Sequence, residues 1–202
     1  MRLILMRLRR IAVLDMDVLD DVRLDPRATL QALVIAVLGI AALGAGGWLW
    51  WVGSGLGDRQ VILVKSVGIG TAFATAAWLV WLLVATLVLQ RFRVIFDVGQ
   101  LVRAAGFACA PLVIALLMGV PMVGFGAGLV ALAGWVATTQ IALQRVTGRA
   151  GREVLVANIA GFGAWALVMS LLTTGRNPFG PGPFLAEAIW EAVTGQAAFF
   201  GG

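Results

Sequence analysis

Histidine and tyrosine are absent from the 202 residues, cysteine occurs once, and charged residues make up only 12% of the chain. Each shortage excludes something. Without histidine the chain cannot supply a histidine-ligated haem or zinc. With Cys109 alone it cannot close an internal disulfide. Cys109 lies in an apolar run and reads as a small packing residue rather than a reactive thiol. Soluble domains carry roughly 25% charged residues, and this chain has far too few to cover a water-facing surface. What replaces them is apolar: 61% of the residues are hydrophobic, and the mean hydropathy is +0.98. A water-soluble fold of this length cannot hide so much apolar surface. The lipid bilayer is the expected solvent for most of the chain.

The charge present is biased towards one sign. The formal net charge is +5, and every basic residue except Lys65 is an arginine. These residues sit between apolar runs instead of forming one patch, so they read as membrane-orientation signals and not as a nucleic-acid surface. Met1 to Arg10 is basic, but Asp15, Asp17, Asp20 and Asp21 follow it, and no long apolar core with a small-residue cleavage site comes directly after. The segment therefore reads as retained.

A membrane-spanning helix needs about 20 mostly apolar residues. Five stretches meet that requirement: 29–52, 67–89, 105–123, 125–143 and 154–172. The third and fourth are separated only by the uncharged turn Gly119-Val120-Pro121, followed by Gly124 and Gly126. The alternative, one broken segment, is too long for a single crossing. Loop arginines set the expected threading. With the N-terminus inside, Arg2, Arg7, Arg9, Arg10, Arg23 and Arg27 lie on the cytoplasmic side, with Arg91, Arg93, Arg103, Arg145, Arg149 and Arg152. Only Arg59, Lys65 and Arg176 lie outside. The expected fold is an all-α polytopic bundle of five transmembrane helices, N-terminus in and C-terminus out; the arginine bias with abundant alanine and glycine suggests a GC-rich bacterial genome, and so the bacterial inner membrane.

Residues 1–24 form a separate unit by pattern. Ile4, Leu8, Ile11, Val18 and Val22 recur at helical spacing, with Arg7, Arg10, Asp17 and Asp21 opposite. That pattern predicts an interfacial amphipathic helix; a helix packed on the inner loops is the alternative. Asp25-Pro26 then starts the membrane domain, 25–173, as a cap and a first-turn proline. The tail, 174–202, carries Pro178, Pro181 and Pro183 and leaves room for a short helix over 184–193 on the outer side.

Candidate chemistry inside the spans is sparse. Every Asp, Glu, Arg and Lys is placed in a loop, a tail or the first turn of a span, which counts against an ion pump. Thr138, Thr139 and Gln140 in the fourth span and Asn158 in the fifth form the candidate interhelical polar cluster. They read either as a polar site or as hydrogen bonds between helices, worth about 0.6 kcal/mol each in lipid. Pro111 is a candidate helix kink in the third span. The pairs Gly124/Gly128 and Ala157/Gly161 and the row Gly68/Ala72/Ala76 are small residues at four-residue spacing, suited to close packing within the bundle or between copies. Trp48, Trp50 and Trp51 read as interfacial anchors. Trp78, Trp81, Trp135 and Trp165 lie deeper and read as bulky packing residues. Gly68-Ile69-Gly70-Thr71 lacks the lysine or acidic partner of a phosphate loop. No serine has a base available, so no catalytic site, cofactor site or metal site is expected.

The stretch Asp25-Pro26-Arg27-Ala28-Thr29-Leu30-Gln31-Ala32 resembles the entry to the first span in bacterial members of the Yip family, the Rab-interacting membrane proteins. Arg103-Ala104-Ala105-Gly106-Phe107-Ala108-Cys109-Ala110-Pro111 resembles that family's entry to the third span, and Trp135 followed by Gln140-Ile141-Ala142-Leu143 fits the fourth. The resemblance covers about residues 20–173. It implies five spans, a cytosolic N-terminus and an outer C-terminus. The family's eukaryotic members are linked to Rab GTPases, vesicle traffic and membrane shaping. Their Asp-Leu-Tyr-Gly-Pro signature is missing here, and Asn177-Pro178-Phe179-Gly180-Pro181 lies on the wrong side to replace it. GTPase binding therefore does not carry over.

The expected function is that of a non-enzymatic membrane scaffold that binds a partner or organises lipid, the protein partner being another membrane protein or a second copy of the chain. A small channel, permease subunit or accessory subunit of a larger complex is the alternative and would need a continuous polar path near Thr138, Gln140 and Asn158. An enzyme acting on lipid would need acidic residues such as Asp97 or Glu153 gathered at one interface.

Overall fold

The computed structural model describes residues 6–7, 9–11, 15–53, 55 and 59–173. The tail expected to carry a short outer helix lies outside these residues, as do Ile4 and Leu8. All regular structure among the described residues is helical. Helix α1 is Val18–Leu24 and α2 is Ala28–Gly53. Helix α3, Arg59–Leu63, runs through a π-helical turn, Val64–Ile69, into α4, Gly70–Arg91. Helix α5 is Val98–Phe107, followed by a 3-10 segment, Ala110–Gly119. Helices α6, Gly124–Thr147, and α7, Arg152–Thr173, are the last among the described residues.

Five of these units are long and apolar enough to cross a membrane: α2, the continuous Arg59–Arg91, the third span Val98–Gly119, α6 and α7. Large apolar side chains cover their outer surfaces, among them Leu38, Leu83, Phe125, Ile159 and Leu167. A monomer in water rarely exposes apolar patches beyond a few hundred Å², whereas lipid solvates such a surface. The chain is a multi-pass membrane protein. The turn at 120–123 separates the third and fourth spans, so the division at Gly119-Val120-Pro121 holds.

Two boundaries differ from expectation. The second span starts at Arg59, so Lys65 lies inside a helix and is nearly buried instead of sitting in a loop. The π-turn there holds Ser66, whose hydroxyl donates to Gly44 O at 2.6 Å. The third span starts at Val98, where the Asp97 carboxylate caps the helix by accepting from Gln100 N at 2.6 Å. Arg103 therefore sits within α5, and its guanidinium reaches Arg23 O at 2.7 and 2.9 Å. Both cations were missed because apolar counting ignores a helix's polar first turns.

Packing divides the bundle into two seams. α2 lies along α5 and the 3-10 segment, α4 lies along α7, and α6 touches both groups. The N-terminal segment closes one end. Val18, Leu19 and Val22 are buried, and α1 packs on α5 and on the adjacent end of α6. The expected interfacial helix thus turns its apolar side onto protein instead of lipid. Arg7, expected on the opposite polar side, is also buried, because it bonds Asp25 and Gln31 at the start of α2.

Candidate functional site

The site grows from Pro111. Proline has no N–H, and its ring clashes with the carbonyl four residues earlier, so an α-helix cannot pass through it undisturbed. The expected outcome was a kink in one helix. Instead α5 stops at Phe107, and the chain rewinds as a 3-10 helix from Ala110. Ten residues is long for that form. At the switch, Leu112 N donates to Cys109 O at 3.0 Å, an i to i−3 bond, which leaves Ala108 O without its usual helical donor. Thr138 on α6 supplies the replacement: its hydroxyl lies 2.7 Å from Ala108 O. The same hydroxyl is 2.8 Å from Gly134 O and 3.1 Å from Trp135 O in its own helix, so three carbonyls share one proton donor.

Pro111 and Thr138 together line an apolar groove of about 820 Å³ between α2, the 3-10 segment and α6. Gly39, Gly134 and Ala137 leave its walls shallow, and Ile114 and Val130 line it as well. Its remaining wall comes from the N-terminal segment, through Arg9, Ile11 and Met16.

The other members of the expected polar cluster do not join this site. Asn158 is buried on α7 and donates from Nδ2 to Val136 O at 3.1 Å. Thr139 is fully buried. Among the described residues, Thr139 Oγ1, Gln140 Oε1 and Asn158 Oδ1 have no hydrogen-bond partner. These groups therefore serve separate seams. Next to them the bundle interior is filled with rings. Trp81 meets Trp135 at 4.9 Å between ring centroids, Trp135 meets Trp165 at 5.1 Å, and Phe162 lies 5.3 Å from Trp81. Trp165 Nε1 donates to Ala74 O at 3.3 Å.

No family model, no curated protein and no solved structure matches this chain.

A second polar assembly lies at the end of the bundle that carries the N-terminal segment. Arg145 at the end of α6 pairs with Asp17 at 2.8 Å and with Asp20 at 2.6 Å. Arg23 bonds Asp20 at 2.7 Å and Gln100 on α5 at 3.0 Å. Arg7 pairs with Asp25 at 2.9 Å, and Arg10 pairs with Asp15 and Asp21. The hydrogen bond from Arg7 draws the Asp25 carboxyl below its ordinary pKa, and Arg10 does the same to Asp15. Around this clamp Arg91, Arg93, Arg149 and Arg152 are exposed. Asp97 and Glu153 do not gather at one point with other acidic groups: Asp97 caps α5, and Glu153 belongs to the first turn of α7.

Sequence reasoning found Pro111 and Thr138 but treated them separately, and it missed Arg9, Gly39, Gly134 and Ala137 as groove residues. One signal was available. A mid-span proline frees a carbonyl, and a hydroxyl on a neighbouring span is the natural donor to it.

Proposed function

We propose that the chain is a non-enzymatic scaffold of the bacterial inner membrane, with its N-terminus in the cytoplasm and its C-terminus outside. One observation carries the reading: polar bonds and the ionic clamp tie the N-terminal segment, α1 included, to the ends of α2, α5 and α6. The cytoplasmic face thereby becomes one ordered surface on which Arg91, Arg93, Arg149 and Arg152 stand exposed. A preorganised face with outward arginines suits an acidic surface on a partner membrane protein or a second copy, because little ordering entropy remains to be lost on binding. Likeness to the Yip family supports the same threading and the same class of role, without the GTPase.

The channel alternative draws less support. Trp81, Trp135, Phe162 and Trp165 fill the space beside Thr139 and Asn158 through which a path would run. Reversing two charges on the proposed face, Arg149→Glu with Arg152→Glu, tests the scaffold. Cross-linking in native membranes followed by mass spectrometry should give discrete adducts through the 149–152 loop, and the double variant should lose them. A cross-link pattern unchanged by the reversal, or a solitary monomer in both cases, overturns the proposal. Reporter fusions at 97 and 148 test the threading, and a periplasmic signal at either position overturns it.

A further inference from the structure

We infer that the groove beneath the N-terminal segment is a binding site for one acyl chain of an anionic phospholipid, whose phosphate is met by Arg9. The proposal goes beyond the scaffold reading and needs only the membrane-spanning fold. Three observations carry it. The groove is the right size and depth: about 820 Å³ falls within the roughly 300–1,000 Å³ of ligand sites. On α6 it extends from Ile141 to Val130, about 16 Å at 1.5 Å per residue, which matches one leaflet of a hydrocarbon core about 30 Å thick. Its lining is mostly apolar, and its walls below the N-terminal segment are span helices, so along the spans lipid is the solvent that would meet it.

The third observation is charge. Arg9 lines the end of the groove formed by the N-terminal segment. Its neighbours Arg7 and Arg10 are committed to Asp25, Asp15 and Asp21. Arg9 is exposed, and no carboxylate among the described residues pairs with it. A guanidinium so placed at the level of the headgroups can grip a phosphate through two parallel N–H donors. A neutral zwitterionic lipid would fill the same groove but gain less from that cation.

The test uses the full chain reconstituted in phosphatidylcholine vesicles, with chain-labelled phosphatidylglycerol or chain-labelled phosphatidylcholine added as the spin probe. The motionally restricted fraction measures bound lipid. The wild type should hold the phosphatidylglycerol probe about five-fold more strongly than the phosphatidylcholine probe, the ratio expected from one juxtamembrane cation. Arg9→Gln should bring the two probes together while keeping a restricted population. Ala137→Phe fills the groove from an exposed position and should release both probes. Val113→Trp, from another exposed lining residue, serves in its place if the first variant does not fold. Equal retention of both probes by the wild type, selectivity that survives Arg9→Gln, or a restricted fraction untouched by filling the groove would each reduce the bound lipid to ordinary annular lipid and overturn the proposal.

Discussion

The two seams of this bundle solve one packing problem in opposite ways. Along α2 and the third span, backbones meet almost directly. A Cβ on Gly39 would stand 2.6 Å from Cys109 O, one on Gly106 would stand 2.5 Å from Ala32 O, and one on Gly46 would overlap Ala115 O. Along α4, α6 and α7 large rings fill the interior: Trp78, Trp81, Trp135 and Trp165 are all buried, and α4 and α7 approach as closely as the first seam only at Gly161, where a Cβ would stand 2.7 Å from Trp81 O. In lipid neither seam gains much from hiding apolar surface, because the alternative environment is just as apolar. What remains is dispersion, which depends on how many atoms touch. The first seam collects those contacts by removing side chains, the second by enlarging them. The first should tolerate no added atom, and the second, away from Gly161, should suffer most from atoms removed.

The largest expected effect is therefore at the glycine seam. Gly106→Leu places its side chain against the Ala32 backbone, which cannot rotate away. The loss should exceed about 3 kcal/mol, read as a lower midpoint for unfolding in mixed micelles of rising dodecyl sulfate content, or as failure to give a monodisperse protein. Gly126→Leu is the matched control: nothing lies within 4 Å of its Cβ position, so the midpoint should move little. Equal effects at the two sites would dissolve the distinction.

Next comes the ring seam. Trp81→Ala removes a fully buried ring in contact with Trp135 and Phe162 and lying over Gly161. It should cost about 3 kcal/mol by leaving a cavity, in the same micelle titration. Truncation to phenylalanine separates ring volume from the polar handle. Among the described residues Trp135 Nε1 finds no oxygen acceptor and meets only the weakly accepting Cys109 sulfur, whereas Trp165 Nε1 donates to Ala74 O. Trp165→Phe should therefore lose more than Trp135→Phe.

The sequence carried the five crossings because hydropathy is a property of consecutive residues, and Gly119-Val120-Pro121 was enough to divide the third span from the fourth. It carried much less of the seams. Gly124, Gly128, Ala157 and Gly161 look the same in sequence as Gly68, Ala72 and Ala76, yet Gly161 faces Trp81 while nothing lies within 4 Å of a Cβ at Gly68. Gly68, Ala72 and Ala76 face outward, because direction around a helix depends on neighbours that a uniformly apolar stretch does not specify. The site was half visible. Pro111 announces a break, but whether a span kinks or rewinds depends on the donor available across the interface, and Thr138 is 27 residues away. The groove was invisible because it is bounded by three spans and the N-terminal segment at once.

Thr138 and Thr139 sharpen the comparison at smaller energies, since they are adjacent in sequence but serve different seams. Thr138 bonds the carbonyl freed at the α to 3-10 switch, whereas Thr139 Oγ1 is buried without a partner among the described residues. Thr138→Val should cost about 1 kcal/mol, within the range for interhelical bonds in lipid. Thr139→Val should be neutral or stabilising, because it removes an unsatisfied buried hydroxyl. A larger loss at Thr139 than at Thr138 would mean that the assignment of the two hydroxyls is reversed.

The smallest effect belongs to the clamp and concerns the N-terminal segment alone. Asp25 and Asp15 have folded pKa values drawn below the ordinary value of about 3.9 by hydrogen bonds from Arg7 and Arg10. A carboxylate held below its unfolded value stabilises the folded state fully above the unfolded pKa and stops doing so as the pH falls through the folded one. The clamp should therefore hold at pH 7 and loosen only below about pH 4, while the two seams, which are built from apolar and backbone contacts, stay closed. Hydrogen exchange across 15–25 should accelerate over that acidic range, and exchange in α4 and α7 should not. Arg7→Gln removes the donor to Asp25 and should bring faster exchange already at neutral pH. If acid opened α4 and α7 together with the clamp, the N-terminal segment would be part of what holds the ring seam shut, and the two regions would no longer be energetically separate.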